Sequence, residues 1–174
     1  MNFSIVPAAK SHLSAIPRIE QAAASVFSEA DLPLHIRFRV TDRKTLADAQ
    51  RERRLWVAVN SKGEPVGFAL ACVIDEQAHL DEMDVLPDYA RRGIGTKLVE
   101  TVVKWADDEG FDELTLTTFR HLPWNAPYYA ALGFEIVEAC MQGDEMHELM
   151  RKEAKAGLKA ANRVCMRRLL QGQS

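Results

Sequence analysis

The stretch Asp81-Glu82-Met83-Asp84-Val85-Leu86-Pro87-Asp88-Tyr89-Ala90-Arg91-Arg92-Gly93-Ile94-Gly95-Thr96 constrains this chain more than any other. It reads as a strand, a short turn and a glycine-flanked helix start with two arginines beside it. Glycine lets the backbone come close to a ligand. The first amides of a helix have no intrahelical partner, and the helix dipole adds partial positive charge at the same spot. The segment is therefore an anion cradle suited to a phosphate-bearing molecule. The helix behind it is amphipathic: Ile94, Leu98, Val102, Trp105 and Ala106 recur at three- and four-residue spacing, Lys97, Glu100, Lys104, Asp107 and Asp108 take the other face, and Gly110 ends it.

A Gly-x-Gly by itself is an ordinary tight turn. Two common nucleotide loops do not fit: no Gly-Lys-Ser/Thr tripeptide follows, and Leu98 occupies the place of the third glycine of a dinucleotide fingerprint. Ala90-Arg91-Arg92-Gly93-Ile94-Gly95 instead resembles the loop Gln/Arg-x-x-Gly-x-Gly/Ala of the GNAT superfamily of acyl-CoA-dependent N-acyltransferases, with Ala90 departing at the first position. Downstream, Asn125-Ala126-Pro127-Tyr128-Tyr129-Ala130-Ala131-Leu132-Gly133-Phe134 is similar to that family's short helix and strand ending in Tyr-x-x-x-Gly-Phe. The two motifs stand in the family's order, and the resemblance covers nearly the whole chain, residues after 142 matching least.

The resemblance implies that the loop from Arg91 and Arg92 through Gly93, Ile94, Gly95 and Thr96 holds the pyrophosphate of acetyl-CoA. It implies that Met83, Asp84 and Val85 meet the pantetheine arm, that Asn125 also contacts the cofactor, and that no metal is required. As a helix N-cap, Asn125 has a structural explanation as well.

At 174 residues the chain is long enough for one cored domain, 1–174, without disulfides or metals. Its net charge of -3 and pI near 6.0 argue against nucleic acid as a partner, since broad nucleic-acid binding uses a basic face. Cys72, Cys140 and Cys165, odd in number and set among apolar residues, read as reduced core cysteines of a cytoplasmic protein. No segment is long and apolar enough to imply a membrane partner.

Strands are expected at 3–6, 55–59, 65–74, 78–86, 112–118, 134–140 and 163–169. Helical patterns are expected at 9–30, interrupted by Pro17, and from Thr41 or Asp42 to about Arg53. This order implies an α/β (α+β) fold: a mixed sheet with helices on both faces. The resemblance adds a mostly antiparallel sheet of six to seven strands, splayed between the fourth and fifth. Residues 143–157 read as an inserted helix capped by Asp144. It is expected to be a packing helix, with a lid or a homodimer contact as the sharper alternatives.

The implied reaction is transfer of an acetyl group from acetyl-CoA to a primary amine of a small molecule, by direct attack in a ternary complex. The amine arrives protonated, so a base is needed. His79 and Asp81 alternate along a strand and are expected to share one face. Arylalkylamine N-acetyltransferases of the superfamily carry histidines at those positions, and here Asp81 takes the second. A histidine at a strand start is also simply a polar residue. Glu82, on the opposite face, is the reserve base, because other members use a Glu on this strand. Tyr129 matches the general-acid tyrosine, and Tyr128 is expected to pack in the core. A cysteine route through Cys140 has no base beside it in sequence. Two alternatives stay open: an acyl-CoA-binding sensor without turnover, and a protein-lysine acetyltransferase. Phe27, Glu29, Asp31, His35 and Phe38 are expected to shape the acceptor pocket.

Overall fold

The computed structural model describes residues 2–171. After β1 (Phe3–Pro7) come a 3-10 turn (Lys10–Ala15), α1 (Ile16–Ala24), α2 (Leu34–Arg37) and α3 (Arg43–Arg51). There follow β2 (Leu55–Asn60), β3 (Pro65–Ile74), β4 (Gln77–Val85), α4 (Ile94–Asp108), β5 (Glu113–Phe119), α5 (Ala126–Ala131), β6 (Glu135–Val137), α6 (Asp144–Ala156) and β7 (Arg163–Leu169). The strands form one sheet in the order β1-β2-β3-β4-β5-β7-β6. Every neighbouring pair is antiparallel except β4 with β5. This is the mixed sheet that the strand order implied, and the mostly antiparallel one that the resemblance implied.

Local chemistry sets several boundaries. Proline lacks an amide hydrogen and is tolerated only in a helix's first turn, so the pattern over 9–30 divides and α1 starts beside Pro17. Asp42 caps α3 by accepting from the amides of Lys44 at 2.9 Å and Thr45 at 3.0 Å. Asp75 and Glu76 both have positive φ (50° and 61°), as a two-residue hairpin turn between β3 and β4 requires. Helix α6 is not capped by Asp144. Asp75 reaches across from that hairpin and accepts from the amides of Glu145 and Met146, each at 3.0 Å.

Alternate residues of β2 and β3 feed two layers. Trp56, Ala58, Ala69 and Ala71 face α4, where the Trp56 and Trp105 rings meet edge to face at 5.7 Å. Leu55, Val57, Phe68 and Leu70 pack with α1 and α3 residues on the other side. Burying Phe68 completely contributes about 2 kcal/mol of transfer free energy. Val137, Met146 and Cys165 form a third cluster that seats α6 against β6 and β7. Of the cysteines, Cys165 is buried and Cys72 half-buried, but Cys140 is exposed on a 3-10 turn, not in the core. Among the described residues no helix is long and apolar enough to cross a membrane.

Candidate active site

The β3–β4 ladder contains a bulge. Leu70 lies opposite Glu82 and Ala71 opposite Leu80, so Asp81 is an extra residue. In an unbroken strand His79, Asp81, Met83 and Val85 would share a face. With the bulge, Met83 and Val85 join Leu80 against the α4 layer, while Glu82 and Asp84, opposite Leu70 and Phe68, turn to the α1 side.

This corrects the expected pairing of His79 with Asp81. His79 is 1% exposed, and its Nδ1 lies 2.8 Å from Thr115 Oγ1. The Thr115 hydroxyl donates to the Ala78 carbonyl at 3.1 Å, so the imidazole is the donor to Thr115. Burial pulls its pKa down to about 4. His79 is a neutral packed side chain, outside the cleft that Asp81, Glu82 and Asp84 line.

Strands β4 and β5 pair only over Ala78–Leu80 and Leu114–Leu116. Beyond Leu80 they splay, leaving the backbone of Asp81–Val85 open on that edge. Two cavities meet there. One, of 630 Å³, includes Met83, Val85, Arg91, Gly95, Thr96 and Tyr128 in its wall. The other, of 450 Å³, includes Glu20, Asp81, Glu82, Thr117, Glu153 and Arg163. Asp84, Asn125 and Tyr129 border both, as do Met83 and Phe27.

The first cavity contains the cradle. Arg91 and Gly93 hold positive φ (58° and 79°), and α4 starts with no side-chain cap, so its leading amides have no cap to satisfy them. A Cβ on Gly95 would lie 3.0 Å from the Tyr128 hydroxyl and 3.7 Å from Met83 Sδ. That residue must be small for a ligand to slide between strand and helix. Arg91 borders the cavity, whereas Arg92 donates to the Asp88 carbonyl at 2.7 Å and sits 5.2 Å from the Tyr89 ring centre, closing the turn. Ile94 contributes backbone only, its side chain being buried under α4. Uncapped amides beside an open strand edge suit a pyrophosphate joined to an amide-bearing arm, so the residues fit acetyl-CoA.

Tyr129 is 8% exposed at the junction, its ring wedged between Tyr128 at 5.1 Å and Phe134 at 5.7 Å. Burial raises its pKa, so the phenol stays protonated. Asn125 begins α5, yet its side chain caps nothing, and Oδ1 is buried without a partner. The structural explanation for Asn125 therefore fails, and a buried acceptor at the junction is left for a ligand. Tyr128 packs as expected and also turns its hydroxyl to Thr96 Oγ1 at 3.4 Å.

The second cavity is acidic. Burial, then the neighbouring Asp81 and Glu20 charges, push Glu82 up to about 8, with Arg163 acting in the opposite direction. Glu82 and Asp81 are both exposed to the solvent of the cleft, so the protein mass and like charges around the cleft, rather than loss of contact with water, raise them, and that solvent weakens the effect. Burial and Glu82 raise Asp84 well above the carboxylate range. Burial raises Asp81, with Arg54 opposing. Glu20 accepts from the Thr41 amide at 3.0 Å and the Thr41 hydroxyl at 2.5 Å.

Residues 27–41 cross this cleft, but not as expected. Phe27 lines it together with Leu32, Ile36, Arg37, Arg39 and Thr41. Asp31 instead bonds His121 at 2.8 Å, His35 bonds the Ala156 carbonyl at 2.6 Å, and Phe38 is 68% exposed. The segment is thus tied to the loop after β5 and the end of α6 on one side and, through Thr41, to Glu20 of α1 on the other. A larger groove of 1390 Å³ runs between α3 and α4, but it has neither the β4 carboxylates nor the cradle amides, and volume alone does not select it.

The sequence reading missed Glu20, Glu153 and Arg163. Glu20 carries a signal, a carboxylate on the apolar stripe Ile16, Ile19 and Ala23. Glu153 and Arg163 carry none, because each stands on an ordinary amphipathic element.

The profile of the Acetyltransferase (GNAT) family matches residues 18–134. The chain belongs to the GNAT family. This GNAT chain is 32% identical over 91 residues to [Ribosomal protein bS18]-alanine N-acetyltransferase of Escherichia coli (strain K12), covering 52% of itself and 62% of that protein. It is 33% identical over 85 residues to peptidyl-lysine N-acetyltransferase YjaB of the same strain, covering 49% and 52%. The matched stretches thus span between half and two thirds of these GNAT relatives. The fold also matches N-acetylglutamate synthase from Neisseria gonorrhoeae, a structure complexed with coenzyme A and N-acetyl-glutamate. That match has a TM-score of 0.72 and 17% identity over 98% of this chain and 36% of that one.

Proposed function

We propose that this chain is an acetyl-CoA-dependent N-acetyltransferase whose acceptor is a small cationic primary amine, attacked directly in a ternary complex. One observation carries the reading: the β4 bulge aims Glu82 into an acidic cleft that meets the cradle cavity at Asn125 and Tyr129.

Acetyl-CoA supplies a thioester whose C–S bond breaks as the amine's C–N bond forms. Glu82, with its raised pKa, takes the ammonium proton, directly or through one water, and the neighbouring carboxylates attract the cation. Tyr129, protonated at the junction, donates to the departing sulfur. The open β4 edge offers an amide near Met83 to the carbonyl oxygen, and positioning provides much of the remaining rate. The span of residues 27–41, tied by Asp31 to His121 and by His35 to Ala156, favours a small acceptor. A peptide acceptor is the second reading, supported by the names of the relatives.

The test is thiol release from acetyl-CoA with a panel of polyamines, arylalkylamines, amino acids, and peptides bearing an N-terminal alanine or an internal lysine. Small amines are expected to release thiol and peptides not to. Release by peptides alone would move the acceptor to the second reading, and no release with any member would leave the acyl-CoA sensor.

A further inference from the structure

Helix α6 was expected to be a packing element, yet its Glu153 reaches the catalytic cleft. Arg163, at the start of β7, grips it with both arms: Nε donates to Oε2 and Nη2 to Oε1, each at 2.9 Å. Nη2 also donates to Thr117 Oγ1 at 3.0 Å, and the Thr117 hydroxyl donates to Glu153 Oε1 at 2.6 Å. The guanidinium lies 4.7 Å from the centre of the Phe119 ring. The side chains keep only 11% and 14% exposure, and all four residues border the cavity that Glu82 borders. Thr117 and Phe119 belong to β5, so the pair stands across the splay from the β4 carboxylates.

A bidentate pair with a hydroxyl and an aromatic face has little freedom. Such rigidity exceeds what packing α6 needs, since Asp75 and the Val137–Met146–Cys165 cluster already seat that helix. We propose that Arg163 is a positioning residue for the reaction: Glu153, Thr117 and the Phe119 face together hold its cation on the cleft wall, where it offsets the crowding of negative charge around Glu82, to which Glu153 itself adds. The inference rests on the reading of Glu82 as the base.

Several charged groups bear on Glu82. Asp81 and Asp84 belong to its own strand, Glu20 to α1, Glu153 to α6 and Arg163 to β7; Arg37 and Arg39 come from the crossing segment and Tyr129 from α5. Arg54, before β2, acts on Asp81. Arg163 is the cation among them that opposes protonation of Glu82, and Glu153 favours it.

The two partners therefore make opposite predictions. In the full chain without acceptor, the Glu82 side-chain carbon is followed by 13C NMR from pH 5 to 10. Arg163→Gln is expected to move its midpoint up by about one pH unit, and Glu153→Gln to move it down, Arg163 being still held by Thr117 and Phe119. Arg163→Lys keeps the charge and is expected to restore most of the wild-type midpoint. Shifts in the same direction, or none, in variants that melt cooperatively would overturn the proposal; should Arg163→Gln not fold, Glu153→Gln and Arg163→Lys decide it. The titration needs no turnover, so its failure is separate from failure of the amine panel. With an amine that turns over, Arg163→Gln is expected to lower kcat/KM about tenfold at pH 7 and to recover toward pH 9.

Discussion

Glu82 lies opposite Leu70 across the β3–β4 ladder although Leu80 lies opposite the adjacent Ala71. The single unpaired residue between them, Asp81, reverses which strand residues face the cleft. The chemistry assigned to this chain depends on that reversal.

Removing the Glu82 carboxylate is expected to lower kcat/KM about a hundredfold or more, the range for loss of a general base. The wild-type kcat/KM is expected to rise with pH to a plateau above about 8, and the Glu82→Gln profile to lose that limb. An unchanged limb in the variant would assign the proton to another group.

The same raised pKa predicts a stability trend. Folded Glu82 holds its proton up to about 8, whereas the unfolded side chain releases it near the usual 4.5. The native state binds more protons in that window, so its stability falls as pH rises through it. Glu82→Gln removes the contribution. The melting temperature of the variant, relative to wild type, is expected to increase between pH 5 and pH 9, as read by thermal denaturation at matched ionic strength.

Tyr129→Phe is expected to reduce turnover about tenfold or more with coenzyme A affinity unchanged, measured by thiol release and by calorimetry. The ring keeps its contacts with Tyr128 and Phe134, so folding is little affected. Unchanged turnover would remove the phenol from the mechanism.

Two glycines of the cradle separate backbone strain from crowding. At Gly93, with φ of 79° and open space around a Cβ, alanine costs about 1–2 kcal/mol through conformation. At Gly95 the new methyl meets the Tyr128 hydroxyl at 3.0 Å, so Gly95→Ala is expected to weaken coenzyme A binding about tenfold, equivalent to about 1.4 kcal/mol. Calorimetric binding and denaturant melts distinguish the two effects.

Asp75→Ala leaves the α6 amides of Glu145 and Met146 without their acceptor and is expected to cost about 1 kcal/mol. Asn also accepts at this place and tolerates the positive φ of 50°, so Asp75→Asn should retain much of that stability in urea melts.

The strand–turn–helix from Asp81 to Thr96 was legible because its determinants are local, and the Tyr129 segment because it resembles the family's motif. Glycine conformation, the helical period of Ile94, Leu98 and Val102, and a two-residue strand period act within a few neighbouring residues. The order of strands followed, and with it a mixed sheet, while the splay between β4 and β5 was implied by the family resemblance. His79 was misread because it lies where β4 and β5 still pair, below the splay, so its ring is enclosed and bonded to Thr115; the bulge that takes Asp81 and Met83 out of its period is set by pairing with β3. Asn125 was given a cap that its side chain does not make.

By itself the sequence determined the glycine-flanked turn after β4 and the amphipathic helix behind it, since both are matters of backbone freedom and short-range periodicity; Tyr129 was marked out by its place in a segment that resembles the family's motif. The tertiary structure alone decided which carboxylate faces the cleft, that Glu20 and Glu153 join it from two helices, and that Arg163 stands against them. Those relations join residues many positions apart, and their electrostatic consequences depend on enclosure by the fold.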